Sequence, residues 1–177
     1  DLVSMSIGSP RSLDYAANLP ERVKHIMVLG PAASGDRHAR KLLSIPIVSD
    51  VLMSAYWYPR SVENQRKEFV NQPLFNRYSL RLKYFMNFSG YKRITLSSWK
   101  HMLNQNQLYL LKEISPKKIL LIYGKQDPFF PIEKIGAYKS LYPTLEVHAI
   151  DSAGHMPHYE QPQEVNPLMW NYLQTAK

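Results

Sequence analysis

A chain of 177 residues that is 45% hydrophobic and 20% charged has the composition of one soluble globular domain with enough apolar material for a core. It has no cysteine, which excludes disulfides and thiolate metal sites, and its six histidines form no HExxH-like pattern, so neither a metal nor another cofactor is expected. The net charge of +8 is not spread evenly: between Asp36 and Lys117 there are 14 Lys/Arg against 5 Asp/Glu, and the rest of the chain is nearly neutral.

No apolar run reaches the roughly 18 residues of a membrane span, and Asp1-Leu2-Val3-Ser4 lacks the layout of a signal peptide. The missing cysteines fit a reducing compartment, so the expected location is cytoplasmic. In chain order, Leu2-Val3-Ser4 reads as a short strand meeting the turn Met5-Ser6-Ile7-Gly8, and a helix with Leu13, Tyr15, Ala16 and Ala17 follows, stopped by Asn18-Leu19-Pro20. Val23 to Leu29 is a second strand ended by Gly30-Pro31. The segment from Ala32 to Pro116 breaks the alternation: it is helix-like, basic and aromatic, with Tyr56-Trp57-Tyr58, Tyr84-Phe85, Phe88, Tyr91 and Trp99, and it reads as an inserted cap. Lys118 to Tyr123 is a third strand whose unbroken apolar run Ile119–Ile122 predicts burial on both faces. A helix over Ile132–Leu141, a fourth strand over Leu145–Ile150 and a last helix from about Gln163 to Thr175 complete the pattern of a parallel α/β sheet. The expected organisation is therefore core residues 1–31, a helical cap over 32–116, and core again over 117–177.

Ser6 stands where a strand turns sharply into a helix, and Gly8 leaves room for the tight path that would hold a nucleophilic hydroxyl clear of the sheet. The Ile7 N–H would then lie at a helix N-terminus, suited to an oxyanion. Taken alone, Ser6 fits a helix N-cap equally, Asp127 in Gly124-Lys125-Gln126-Asp127-Pro128 fits a turn, and His155 in Gly154-His155-Met156-Pro157 fits an exposed loop. Together they differ from chance, because each follows a different strand of one parallel sheet, whose C-terminal ends lie together. A hydroxyl, an imidazole and a carboxylate meeting there can perform nucleophilic catalysis.

These residues carry a resemblance. The order Ser6, Asp127, His155, the run from Ser6-Ile7-Gly8 to Val28-Leu29-Gly30-Pro31, the loop Gly124-Lys125-Gln126-Asp127 with Pro131, and Gly154-His155 with Glu160, Pro162 and Val165 are similar to the α/β hydrolases of lipase, esterase and peptidase type. The acid and the histidine lie 28 residues apart, as in that family. The resemblance implies that the strands here are the family's fifth to eighth, that the insert is its cap, and that Ser6, Asp127 and His155 are a catalytic triad. Two features depart from the family: the elbow opens on Ser4 where a glycine is usual, and the family's first four strands and second oxyanion donor have no counterpart here.

The resemblance thus implies hydrolysis of an ester, thioester or related acyl bond through an acyl-Ser6 intermediate, on a small-molecule substrate, with amide cleavage by an aminopeptidase of the same fold as an alternative. A non-catalytic fragment or interaction module is the reading from another class. Such a chain is expected to be a poor hydrolase alone and to pair through the strand of Leu2 and Val3, with itself or with an upstream segment. The basic cap is expected to face an acidic carrier protein or an anionic surface; no nucleic-acid-binding motif accompanies the charge.

Overall fold

The computed structural model describes residues 1–31, 43, 45–102, 107–114, 118–130 and 132–174. Four strands form one sheet in the order in which they occur: β1 (Leu2–Ser6), β2 (Ile26–Pro31), β3 (Ile119–Gly124) and β4 (Glu146–Ile150). All neighbours are parallel, with Leu2 beside Ile26, Ile26 beside Ile119, and Leu120 beside Glu146. The parallel α/β sheet expected from the alternation of elements is the fold observed.

Alternation along β2 and β3 sorts their side chains to two faces, and both faces are dry. Ile26, Val28, Ile119, Leu121 and Tyr123 join Leu13 and Ala16 of α1 (Ser9–Asn18) and Tyr138 of a helix over Lys134–Leu141 in one core. Met27, Leu29, Leu120 and Ile122 join Val165 and Tyr172 of the last helix, Pro162–Gln174, in the other. Every residue of β2 and β3 is buried, the physical reason that these strands carry no polar alternation. Tyr172 also ties its helix to the sheet by donating its hydroxyl to the Lys118 carbonyl.

Several boundaries shift from expectation by one to three residues, and two of the shifts have a local cause. The second strand begins at Ile26 and not at Val23, because Pro20–Arg22 form a 3₁₀ turn closed by the Val23 N–H on the Pro20 carbonyl. The last helix starts at Pro162, one residue before the expected start, proline being suited to the first turn. The expected cap boundaries at 32 and 116, Pro131 and the expected helix end at Thr175 lie outside the described residues.

Between β2 and β3 the described chain is helical: α2 (Pro46–Leu52), a π-helical turn over Met53–Trp57, α3 (Tyr58–Arg66), α4 (Gln72–Met86), α5 (Tyr91–Met102) and α6 (Gln107–Glu113). Pro59 has no N–H for the ladder, and the chain widens immediately before it. Leu43, Met53 and Leu96, with Trp57, Tyr58 and Trp99 around them, make a small core here, with Trp57 and Trp99 edge to face at 5.4 Å. Leu111 and Ile114 belong instead to the sheet's own core. In chain order the helices after β3 are α7 (Lys134–Leu141), α8 (Pro157–Glu160) and α9 (Pro162–Gln174).

Ile122 is fully enclosed between β2, β4 and α9, so Ile122→Ala should lower stability by about 2–5 kcal/mol, read from urea unfolding midpoints. A loss below about 1 kcal/mol would contradict tight packing at the sheet centre.

Candidate active site

Because the strands are parallel, their carboxy ends share one edge, and the three residues singled out in the sequence lie beyond it. Ser6 ends β1, Asp127 follows the end of β3, and His155 follows the end of β4. Ser6 has φ of 49°, left-handed for a residue with a side chain, and the register with β2 slips between Met5 and Ser6. Such a conformation costs about 1–3 kcal/mol and persists only where the surroundings enforce it. Here the Gly8 N–H closes the turn on the Met5 carbonyl at 2.9 Å, and α1 begins at once with Ser9-Pro10. Ile7 lies in that turn, ahead of the amino end of α1.

Ser4 fits where the resemblance leads one to expect glycine because its hydroxyl is used. It donates to the Met27 carbonyl at 3.3 Å, and Ser12 of α1 sits 2.7 Å from it. The departure from the family's pattern thus becomes a strand-to-helix tether.

Asp127 and His155 are held within a pair of interlocked loops. The Lys125 N–H bonds the Ile150 carbonyl, the Gln126 N–H bonds the Ala153 carbonyl, and the Gln126 side chain accepts from the Ala153 N–H. Asp127 is sealed: its side chain has no exposure, Oδ1 accepts from the N–H groups of Phe129 and Phe130 at 2.8 and 3.2 Å, and Oδ2 lies 2.8 Å from His155 Nδ1. On the other side of the ring, Nε2 lies 2.7 Å from Ser6 Oγ. With the Nδ1 proton given to Asp127, Nε2 is an acceptor for the Ser6 hydroxyl. Phe129 stands edge-on to the imidazole at 5.0 Å and fixes its plane. The structure therefore brings Ser6, His155 and Asp127 into one hydrogen-bonded line, with Ile7 beside Ser6 in the chain.

Sequence reasoning gave no role to three further residues that build this site. Gly30, with φ of 47°, passes so close to His155 that a β-carbon would collide with the histidine's carbonyl. Glu160 was legible as part of a pattern but not as a buried carboxylate: Oε1 accepts from Val70 and Asn71 at 2.7 and 2.8 Å, and Oε2 accepts from Gly154 at 2.6 Å. Glu68 accepts the His155 N–H on its carbonyl at 2.8 Å. Burial pushes the Glu68 side-chain carboxyl up to about 7, with His155 opposing the rise and Asp127 adding to it. No local spacing announces these contacts, since all but the Glu160–Gly154 bond join residues about 90 or more positions apart; a glutamate five residues before α9's first valine was the one available hint.

Among the described residues no cluster of His, Cys, Asp and Glu could hold a metal ion. The Glu160 carboxylate meets only donors, so Glu160→Gln turns an amide NH₂ toward at least one of them. It should cost about 1.5–3 kcal/mol, measured by urea unfolding, and an unchanged midpoint would overturn this account.

Glu68 predicts a pH effect. Its proton is held more tightly in the fold than in the unfolded chain, where 4.5 applies, so its contribution to stability is fully present below about 4.5 and is lost as pH rises through about 7. Glu68→Gln, neutral throughout, should remove that decline from a plot of unfolding midpoint against pH. An identical slope in the variant would assign the decline to another group.

Comparison with known proteins places this geometry in context. A family model for the alpha/beta hydrolase fold matches residues 52–162, a stretch that holds Asp127 and His155. The chain is 24% identical over 188 residues to 2-hydroxymuconate semialdehyde hydrolase from Pseudomonas putida, covering 99% of this chain and 63% of that protein. Among solved structures, a thermophilic esterase from Thermogutta terrifontis superposes with a TM-score of 0.77 at 18% identity, over 97% of this chain and 63% of that one. The meta-cleavage product hydrolase from Pseudomonas fluorescens does so with 0.71 at 20% identity, over 99% and 64%. The chain thus spans a little under two thirds of the length of these relatives.

Proposed function

This chain belongs to the α/β hydrolase fold family, and from that membership we propose that it carries a serine-hydrolase centre acting on a carbonyl substrate through a covalent Ser6 intermediate. The observation that supports this most directly is the continuous line from Asp127 through His155 to Ser6, with hydrogen bonds of 2.8 and 2.7 Å and Ser6 in a left-handed turn. In this reading His155 Nε2 takes the Ser6 proton as Oγ bonds the carbonyl carbon, and the charge gathers on the carbonyl oxygen. The Ile7 N–H faces that oxyanion at the head of α1, where the helix dipole favours negative charge. Collapse of the adduct expels the leaving group, which takes the proton from His155. A water then repeats the sequence on the acyl-Ser6 and frees the acid, while Asp127 stabilises the imidazolium at each stage.

Carboxylic esters and thioesters are the first substrates we propose, with the helical segment between β2 and β3 as the cap. A second reading has a specific support: the substrate named for the Pseudomonas putida relative bears an aldehyde and a carboxylate but no ester. The same Ser6 addition to a carbonyl would then release carbon and not oxygen as leaving atom, so that His155 delivers its proton to carbon. Turnover of a nitrophenyl ester against that of a 2-hydroxy-6-oxo-dienoate separates the two.

A fluorophosphonate probe should label the chain at Ser6, and Ser6→Ala should abolish labelling and lower any turnover at least about a thousand-fold. Labelling that persists in Ser6→Ala would remove Ser6 as the nucleophile.

A further inference from the structure

Helix α4 carries two stripes where its packing needs one. Phe75, Ser79 and Leu82 turn inward and are buried, and Phe75 packs on Phe69 and Tyr78. That stripe accounts for the helix's attachment. On the opposite side, the helical spacing aligns Arg77, Leu80, Arg81, Tyr84, Phe85 and then Phe88, just past the helix end. A solvated face should be polar here. Instead Leu80 is 69% exposed, Tyr84 64%, Phe85 45% and Phe88 54%. The three rings pack on one another at 5.2 to 6.1 Å, and the Arg81 guanidinium lies 5.9 Å from the Phe85 ring.

The surrounding charge is of one sign. From Phe69 to Lys112 there is no Asp or Glu, while seven Lys/Arg occur, including Arg77, Arg81 and Lys83 on α4 and Lys92 and Arg93 on α5. Phe88, Lys92 and Arg93 line one open pocket of about 410 Å³, so the aromatic tip and the basic pair adjoin.

We propose that this stripe, with its basic flank, is a docking surface for an anionic lipid bilayer. Aliphatic and aromatic side chains flanked by arginines are the composition of a helix lying in the plane of a lipid interface: the rings enter the acyl boundary and the cations remain at the headgroups. Arginine stems reach from one level to the other. Charge decides between occupants. A second copy would set Arg77, Arg81 and Lys83 against their own like, whereas an anionic surface attracts each of them, by about fivefold in affinity per Lys or Arg near the surface. No helix among the described residues is long and apolar enough to cross a membrane. The docking does not depend on the catalytic reading of Ser6.

The test is co-sedimentation of chain 1–177 with vesicles of phosphatidylcholine alone and of phosphatidylcholine mixed with phosphatidylglycerol, without substrate. The chain should pellet with the mixed vesicles, lose binding as salt rises, and pellet poorly with neutral ones. Phe85→Ser with Phe88→Ser should weaken binding by about tenfold or more, since each ring moved out of water contributes on that scale. Arg77→Glu with Arg81→Glu should abolish it. All four positions are exposed, and unchanged near-ultraviolet circular dichroism establishes that the variants fold. Absence of binding, equal binding to both vesicle types, or binding indifferent to both variants overturns the proposal. So does a concentration-dependent dimer that the phenylalanine variant dissociates without any vesicle binding, which assigns the stripe to a second copy. Because turnover is never read, none of these outcomes bears on Ser6.

Discussion

Parallel pairing of the strands is the constraint from which the rest follows. Four strands running the same way in sequential order put all their carboxy ends at one edge, so the turn after β1 and the loops after β3 and β4 must meet there, although Ser6 and His155 are 149 residues apart. The two central strands supply the rigidity that makes the meeting reproducible. With every side chain of β2 and β3 buried, the sheet cannot shift without exposing apolar surface on both faces. The loops then need only local bonds to set their final positions. Asp127 uses two backbone donors for this, and the histidine loop uses the carbonyl of Glu68 and the carboxylate of Glu160.

The fold was legible in the sequence where a physical rule is local. The unbroken apolar run Ile119–Ile122 can be stable only between two covering layers, and β3 is buried throughout. Strand, turn and helix around Ser6 were legible because Gly8 and Asn18-Leu19-Pro20 punctuate them. The boundary error at Val23 has an equally local cause: a 3₁₀ turn that its proline and arginine do not advertise. Ser6, Asp127 and His155 could be chosen together because the order of strands was predictable, and the topology turned three ordinary residues into one constellation.

What could not be read is whatever depends on contacts between distant segments. Glu160 and Glu68 are unremarkable as letters, one near a helix start and one near a helix end. Their meaning comes from the packing of the α3–α4 turn on the histidine loop, where Phe69, Phe75, Tyr78 and Tyr159 form an aromatic joint. Burial there pushes the Tyr78 hydroxyl up to about 12 and leads it to donate to Gln65 at 2.8 Å. Gly30 is of the same kind: its need for a bare α-carbon arises from a histidine that follows 125 positions later in the chain.

The Glu160 bridge also bears on how the helical segment could move. Its three hydrogen bonds, with that of His155 to Glu68, pin residues 68–71 to the core, and α4 leaves from that pinned point. A visor riveted at one temple cannot lift off; it can only swing, and α3 would have to swing with it, since Tyr58 donates its hydroxyl to the Met86 carbonyl at the far end of α4 at 3.0 Å. With about 1.5 Å of rise per residue, the 15 residues of α4 form an arm of roughly 22 Å, so a tilt of about ten degrees at the rivet displaces the far tip by roughly 4 Å. That tip carries Tyr84, Phe85 and Phe88. Leverage thus makes the end of α4 farthest from the histidine loop the part of the arm with the greatest travel, while the backbone against His155 stays nearly still.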